Sequence, residues 1–180
     1  MPEQSADHPE KQPSAYVQLA RASLEHYLRT KRLLPVPDPA PPGMQGRAGA
    51  FVSLKKHGEL RGCIGTIEPV RRNLAEEIIN NAVSAGAKDP RFRPLQLEEL
   101  PDLIISVDVL APPEPIDSED DLDPRRYGVI VSSRGRVGLL LPNLGGIDTV
   151  AEQVGIARQK AGLLPDEPVR LARFEVTRHE

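Results

Sequence analysis

Residues 50–66, AFVSLKKHGELRGCIGT, predict a β-hairpin around which the fold is built. From Ala50 to Lys56, apolar and polar side chains alternate, as they do in a half-buried strand, and Glu59 to Ile64 supplies the returning strand. The dipeptide His57-Gly58 lies between them and is typical of a two-residue hairpin turn. The stretch therefore predicts two neighbouring antiparallel strands.

Alternation along the second strand divides its side chains between two faces. Leu60, Gly62 and Ile64 lie on one face, and Arg61, Cys63 and Gly65 on the other. We expect the leucine and the isoleucine to face the core, which would set the guanidinium beside the thiol. A fixed positive charge lowers the pKa of a thiol and favours the reactive thiolate, and the two glycines leave space for a ligand. The same pattern is also typical of a buried cysteine that packs as a small apolar side chain beside a helix.

The rest of the chain predicts three helices and further strands, with hairpins dominating. This pattern indicates an α+β fold around an antiparallel or mixed sheet. A tail over residues 1–13 precedes a helix from Ser14 to about Arg32, with Leu19, Leu24 and Leu28 packed on the sheet; a second helix has Pro69 in its first turn, and a third is opened by a Thr149/Glu152 capping box and ends at Gly162. Further strands are predicted at Leu103–Ala111, 127–132, 136–141 and Val169–Thr177. The connecting segments are a proline-rich connector at 35–42, a short helical turn at Leu97–Leu100 and an acidic loop at 114–123.

Composition excludes several classes of protein. The chain has one cysteine, which rules out an internal disulfide and a four-thiolate metal site and fits a reducing, cytoplasmic compartment. It has neither a bilayer-length apolar run nor the pattern of a signal peptide, so we expect no membrane association. It also lacks a P-loop and a Gly-rich dinucleotide fingerprint, and its histidines have no metal-ligand spacing. We therefore expect neither a bound cofactor nor a metal.

The charge is unevenly distributed along the chain. The net charge is −3, yet residues 55–93 hold eight Lys/Arg against five acids. Such a stretch can focus an anionic ligand, and it is also compatible with an ordinary solvated surface.

Two further groups of residues are candidate anion contacts. In Asp89-Pro90-Arg91-Phe92, the arginine can clamp an anion while Asp89 pairs with it or with Arg61; alternatively, Asp89 caps a turn and Phe92 fills the core. We expect Asp89 to pair with Arg61. Lys160, in the last turn of a helix, can contact an anion, although the helix dipole alone also explains a lysine there.

These motifs resemble the AMMECR domain family. The resemblance rests on Ala50–Leu54, on the run from Gly58 to Thr66 that contains LRGCIG, on Asp89–Phe92, and on Ile105–Val107, Gly138–Pro142 and Lys160–Gly162; it spans Ser14 to the C-terminus. The chain differs from the family pattern at 143–148 and in its proline-rich insert at 35–42. The resemblance implies a single domain over residues 14–180 with two unequal lobes, in which an antiparallel sheet is flanked by helices and LRGCIG lines or supports a cleft between the lobes.

The resemblance also implies a functional setting. Microbial members are labelled protein A of the AmmeMemoRadiSam system, where they accompany a Memo-type protein similar to non-haem iron dioxygenases and a radical SAM enzyme. Two functions follow as alternatives. In the first, which we favour, the chain is a binding or adaptor component that holds an anionic, nucleotide- or RNA-like substrate on Arg61, Gly62, Gly65, Asp89, Arg91 and Lys160 for those partners. In the second, it is an enzyme with Cys63 as the thiolate and Arg61 or Arg91 as its electrostatic partner.

Overall fold

A computed structural model of the protein describes residues 12–180, so most of the predicted tail lies outside the described residues. Two antiparallel four-stranded sheets and three α-helices confirm the predicted α+β class. In chain order, the elements are α1 (Ala15–Thr30), β1 (Ala50–Lys56), β2 (Glu59–Gly65), α2 (Leu74–Ala87), β3 (Leu103–Leu110), β4 (Glu114–Ile116), β5 (Gly128–Ser133), β6 (Arg136–Leu140), α3 (Val150–Lys160), β7 (Arg170–Phe174) and β8 (Val176–His179). Among the described residues, no helix is long and apolar enough to cross a membrane.

Lobe A consists of the sheet β2-β1-β3-β8 with α1 and α2 packed on one of its faces. The predicted hairpin is confirmed: His57 and Gly58 adopt φ angles of 51° and 82°, and the strands on either side pair antiparallel. Val52 and Leu54 point from β1 into the helix-covered core and are fully buried. The opposite face of this sheet is turned towards the second lobe.

Lobe B consists of the sheet β4-β7-β5-β6 with α3 against it. The predicted capping box is confirmed, because Thr149 accepts a hydrogen bond from the backbone N–H of Glu152, whose carboxylate accepts one from the N–H of Thr149. A third, smaller core joins the lobes, where Phe174 packs with Leu110 and Leu139 and with the half-buried Phe51.

Three predicted elements were wrong in detail. Pro69 precedes α2 instead of opening it, because Asn73 caps the helix and the Glu77 carboxylate accepts the N–H groups of Val70 and Arg71, which holds this segment as a loop. The acidic loop contains the short strand β4, which pairs with β7. The single final strand is two strands separated by Glu175, and each belongs to a different sheet.

Helix α1 begins at the predicted cap, where Ser14 Oγ accepts a hydrogen bond from the N–H of Val17. Its predicted face is buried: Leu19 and Leu28 are each 9 % exposed and Leu24 is 1 % exposed. A methyl group added at Gly86 of α2 would overlap the Leu24 side chain, which shows how closely the two helices approach.

We expect Leu24→Ala to lower the free energy of unfolding by roughly 2–5 kcal/mol, because it leaves a cavity between α1 and α2. Urea unfolding measures this change. Leu33→Ala is the matched control, since that leucine is 46 % exposed and should be nearly neutral. Equal effects of the two substitutions would contradict the packing of α1.

Candidate functional site

A cleft of about 700 Å³ lies between the two lobes. Its floor is the face of the lobe A sheet that the helices leave open, with side chains from β1, β2 and β3. The opposite wall is formed by Leu139–Leu141 at the end of β6, by Leu144 and by Lys160 at the end of α3. Pro13 and Glu180, from the two ends of the described chain, lie at its border.

A β-bulge in β2 changes which side chains face this cleft. Leu54 pairs with Gly62 and Lys55 with Leu60, so Arg61 has no partner on β1. One unpaired residue interrupts the strict alternation of a strand. Leu60 therefore lines the cleft together with Cys63 and is 41 % exposed, and our prediction that Leu60 faces the core was wrong. The prediction that the Arg61 guanidinium lies beside the thiol was wrong for the same reason.

Arg61 instead forms an ion pair with Glu99 on the helix-covered side. Its Nε and Nη2 donate to the two carboxylate oxygens at 3.1 and 3.0 Å, and Lys56 Nζ donates to the same carboxylate at 3.1 Å. The Arg61 and Glu99 side chains are only 12 % and 10 % exposed. Hydrogen bonds from Arg61, the Gln96 N–H and Lys56 lower the pKa of Glu99 to about 2. The expected pairing of Arg61 with Asp89 is therefore wrong, because Glu99 occupies the guanidinium.

Asp89 binds the backbone of Cys63. The Cys63 N–H donates to Asp89 Oδ2 at 3.0 Å, and Arg91 Nη2 donates to the Cys63 carbonyl at 3.2 Å. Arg91 also donates to both oxygens of Asp89, and these bonds, with that from the Cys63 N–H, hold the pKa of this buried carboxyl well below its usual range. The two motifs therefore meet in space as expected, but through main-chain atoms of β2 and not through Arg61.

Pairing across the sheet arranges the cleft floor in three rows, because directly opposed residues share a face. The outer row is Leu60, Lys55 and Ile104; the middle row is Cys63, Ser53 and Ser106; and the inner row is Gly65, Phe51, Asp108 and Arg178. In the middle row, Ser53 Oγ lies 3.2 Å from Cys63 Sγ.

Of the residues that the structure describes, five with cationic side chains line the cleft, and two of these are paired with carboxylates. Arg91 pairs with Asp89, and Arg178 pairs with Asp108 through two hydrogen bonds of 2.8 and 2.9 Å. The other three come from three different elements: Arg21 on α1, Lys55 on β1 and Lys160 on α3.

Those three cations have no carboxylate partner among residues 12–180. Arg21 donates to the carbonyls of Leu100 and Leu103, and Lys160 donates to that of Leu139. Within the same described part of the chain, the acids at the cleft are Glu180, which lines it, and the buried Asp108 of the inner row, which is paired with Arg178. The cleft therefore carries an excess of positive charge.

The structure places the predicted site residues in different positions. Cys63, Arg91 and Lys160 line the cleft, and Asp89 supports it from behind. Arg61 lies in its ion pair on the other side of the sheet. A side chain at Gly62 would overlap the carbonyl of Ala85 on α2, and one at Gly65 would overlap the ring of Phe51. These two glycines thus make room for protein atoms.

Among the cleft residues that sequence reasoning did not assign to the site are the polar side chains of Arg21, Ser53, Lys55, Ser106 and Arg178. The alternation of β1 contained a signal for Ser53 and Lys55, because both are polar residues on the face opposite Val52 and Leu54. Arg21 and Arg178 come from the two ends of the chain, and only the tertiary fold brings them together.

The fold and the cleft define a class of protein. It has two antiparallel sheets with flanking helices, and a cationic cleft between the lobes whose floor includes the strand that carries Cys63. Comparison with family models identifies the family, since the AMMECR1 model matches residues 17–179. The chain belongs to the AMMECR1 family.

Relatives share both sequence and fold. A protein of Thermotoga maritima is 46 % identical over 168 residues, covering 92 % of this chain and 97 % of its own length. A protein of Clostridium acetobutylicum is 51 % identical over 167 residues, covering 92 % of this chain; this chain spans only 36 % of that longer protein. The crystal structure of an uncharacterized protein from Pyrococcus horikoshii superposes with a TM-score of 0.83 at 34 % identity, covering 91 % of this chain and 88 % of that one.

We expect Glu99 to make the folded state sensitive to acid. Its folded pKa of about 2 lies below the ordinary value of 4.5, so its contribution to stability is complete above about pH 5 and is lost as the pH falls towards about 2. The loss should reach roughly 2 kcal/mol by about pH 3. Urea unfolding of the wild type and of Glu99→Gln across this range measures the effect. The variant should be less stable near neutral pH and should show a shallower decline, whereas parallel pH profiles would contradict the assignment.

Proposed function

We propose that this protein is the binding component of a multi-protein system and holds an anionic small molecule of nucleotide size in the interlobe cleft. The observation that carries the proposal is a set of three cations that line the cleft from three elements and have no carboxylate partner among residues 12–180: Arg21, Lys55 and Lys160. No carboxylate among the described residues neutralises these charges, so an anion in the cleft would gain charge-assisted hydrogen bonds from Lys55 and from the ammonium N–H groups of Lys160 that Leu139 does not use.

The size and position of the cleft support this function. Its volume of about 700 Å³ falls within the range of roughly 300–1,000 Å³ that is typical of small-molecule sites. Sites of that kind commonly lie between lobes, combining apolar walls with a few convergent polar groups. Although the whole chain carries a net charge of −3, a concave cationic surface attracts anions locally.

The surroundings of Cys63 favour binding over catalysis. A cysteine nucleophile is commonly activated by an adjacent base that is itself oriented by a third group. No histidine in the described part of the chain lines this cleft, and the Cys63 side chain contacts the hydroxyl of Ser53. The thiol is therefore placed as one polar group of the cleft floor.

The partners that we propose are a Memo-type protein and a radical SAM protein, acting on the substrate that the cleft holds. This part of the proposal rests on the resemblance of LRGCIG and Asp89–Phe92 to the family motifs. The Clostridium relative, in which this chain matches 36 % of the length, supports it because the domain there belongs to a longer polypeptide.

We expect Lys55→Met and Lys160→Met each to weaken the binding of adenosine monophosphate by about tenfold or more, since each removes one charge-assisted contact. Isothermal titration calorimetry at low salt measures the Kd. Lys88→Met is the matched control, because that lysine is exposed and lies outside the cleft. Equal affinity of the three variants and the wild type would contradict an anion site in the cleft.

The enzyme alternative is favoured by one observation: the thiol of Cys63 lines the cleft beside Arg91 and Arg178. If the binding function is correct, iodoacetamide should label the folded protein more slowly than the urea-unfolded chain, because the side chain is half-buried and contacts Ser53. Mass spectrometry across a pH series follows the reaction, and Cys63→Ser is the blank. Fast labelling of the folded protein with a midpoint near neutral pH would favour the enzyme.

A further inference from the structure

We infer that the ligand of the cleft is a phosphate monoester with an apolar organic part, whose phosphate binds the middle row while the organic part lies over the outer row. This inference rests on the proposed function and specifies the chemistry of the anion.

The middle row is a line of small polar groups with unused hydrogen-bonding capacity. Ser53 and Cys63 contact each other, and the hydroxyl of Ser106 has no partner among the described residues. All three side chains are half-buried on the cleft floor. Neighbouring strands lie about 4.8 Å apart, so hydroxyls on adjacent strands can both donate to the oxygens of one phosphate.

The arrangement of charge favours phosphate over carboxylate. The planar fork of an arginine binds a carboxylate or a phosphate through two hydrogen bonds, but here each fork is already engaged: Arg91 and Arg178 by carboxylates, and Arg21 by two carbonyls. The two lysines of the cleft have no carboxylate partner among the described residues. Lys55 lies on the cleft floor, and Lys160, which donates to a backbone carbonyl, lies on the opposite wall. Lysines are point charges that suit a dianion with oxygens pointing in several directions.

The outer row supplies an apolar surface next to that polar site. Leu60 and Ile104 are on either side of Lys55 across the sheet and are 41 % and 67 % exposed. Leu139–Leu141 and Leu144 form the facing wall. An apolar group bound between these facing aliphatic side chains would remove their surface and its own from water, which makes binding more favourable.

The spacing of the two rows fits a single ester linkage. Rows two residues apart along a strand are separated by roughly 6.8 Å. A phosphate on the middle row therefore places the atoms joined to its ester oxygen over Lys55 and its two apolar neighbours. The polar and apolar surfaces are then both occupied by one small molecule.

The test compares three probes by calorimetry: inorganic phosphate, phenyl phosphate and benzoate. Phenyl phosphate should bind about tenfold more tightly than inorganic phosphate, because it also covers the outer row. Ser106→Ala should weaken both phosphates by a similar factor of about three to ten. Ile104→Ser should weaken phenyl phosphate alone, and Leu164→Ser is the matched control because it is equally exposed, at 67 %, and lies outside the cleft. Circular dichroism melting verifies that each variant is folded.

The outcomes separate this inference from the proposed function. Benzoate binding as tightly as phenyl phosphate, with loss on Lys55→Met, would overturn the phosphate assignment and leave an anion-binding cleft. Equal affinities for inorganic and phenyl phosphate, or equal effects of the two serine substitutions Ile104→Ser and Leu164→Ser, would overturn the apolar subsite. Insensitivity of every probe to Lys55→Met and Lys160→Met would overturn both.

Discussion

The ion pair between Arg61 and Glu99 determines what the cleft contains. Arg61 is the unpaired residue of the bulge in β2, and Glu99 receives its guanidinium on the helix-covered side of the sheet. Because Arg61 is the extra residue of the bulge, the alternation of side chains is interrupted at this point. Leu60, which precedes it, and Cys63, which follows it, therefore both face the cleft. A buried pair of this kind is costly to break, since either partner alone would be a desolvated charge. The register of the bulge is thereby fixed.

A second interaction completes the edge of the same strand. β2 is at the edge of its sheet, where main-chain groups need other partners. Asp89 accepts the N–H of Cys63 and Arg91 donates to its carbonyl, so a side-chain ion pair takes the place that a further strand would occupy. The loop after α2 therefore fixes the main chain of the cysteine from outside the sheet, while Ser53 contacts its side chain from within. The two most distinctive motifs of the sequence form one structural unit.

Local patterns predicted much of the fold because they depend on neighbours along the chain. The His57-Gly58 turn, the Ser14 cap and the Thr149/Glu152 capping box were all confirmed on that basis. The bulge escaped prediction because the alternation of β2 is interrupted by a partner, Glu99, that is distant in sequence. The division of the last strand at Glu175 depends on which sheet each half joins, and that is decided by tertiary packing.

The candidate site was predicted only in part, for the same reason. Cys63, Arg91 and Lys160 belong to recognisable motifs and do line the cleft. Arg21 and Arg178 belong to no motif and reach the cleft through helix packing and strand register, and Ser106, although it lies within the Ile105–Val107 match, was given no role in the site. For Gly62 the sequence left two interpretations open, space for a ligand or room for a packed helix, and a carbonyl of α2 takes the space as the second predicts.

The order of the strands makes lobe B an insertion in lobe A. β3 and β8 pair antiparallel, with Leu110 opposite Val176, and the whole of lobe B lies between them in sequence. The ends of the described chain also meet, because the N–H of Ser14 donates to the carbonyl of Glu180 at 2.9 Å. A longer polypeptide can therefore carry this domain as a module whose entry and exit coincide. Since Pro13 and Glu180 border the cleft, a neighbouring domain joined by a short linker at either end would be tethered close to the cleft.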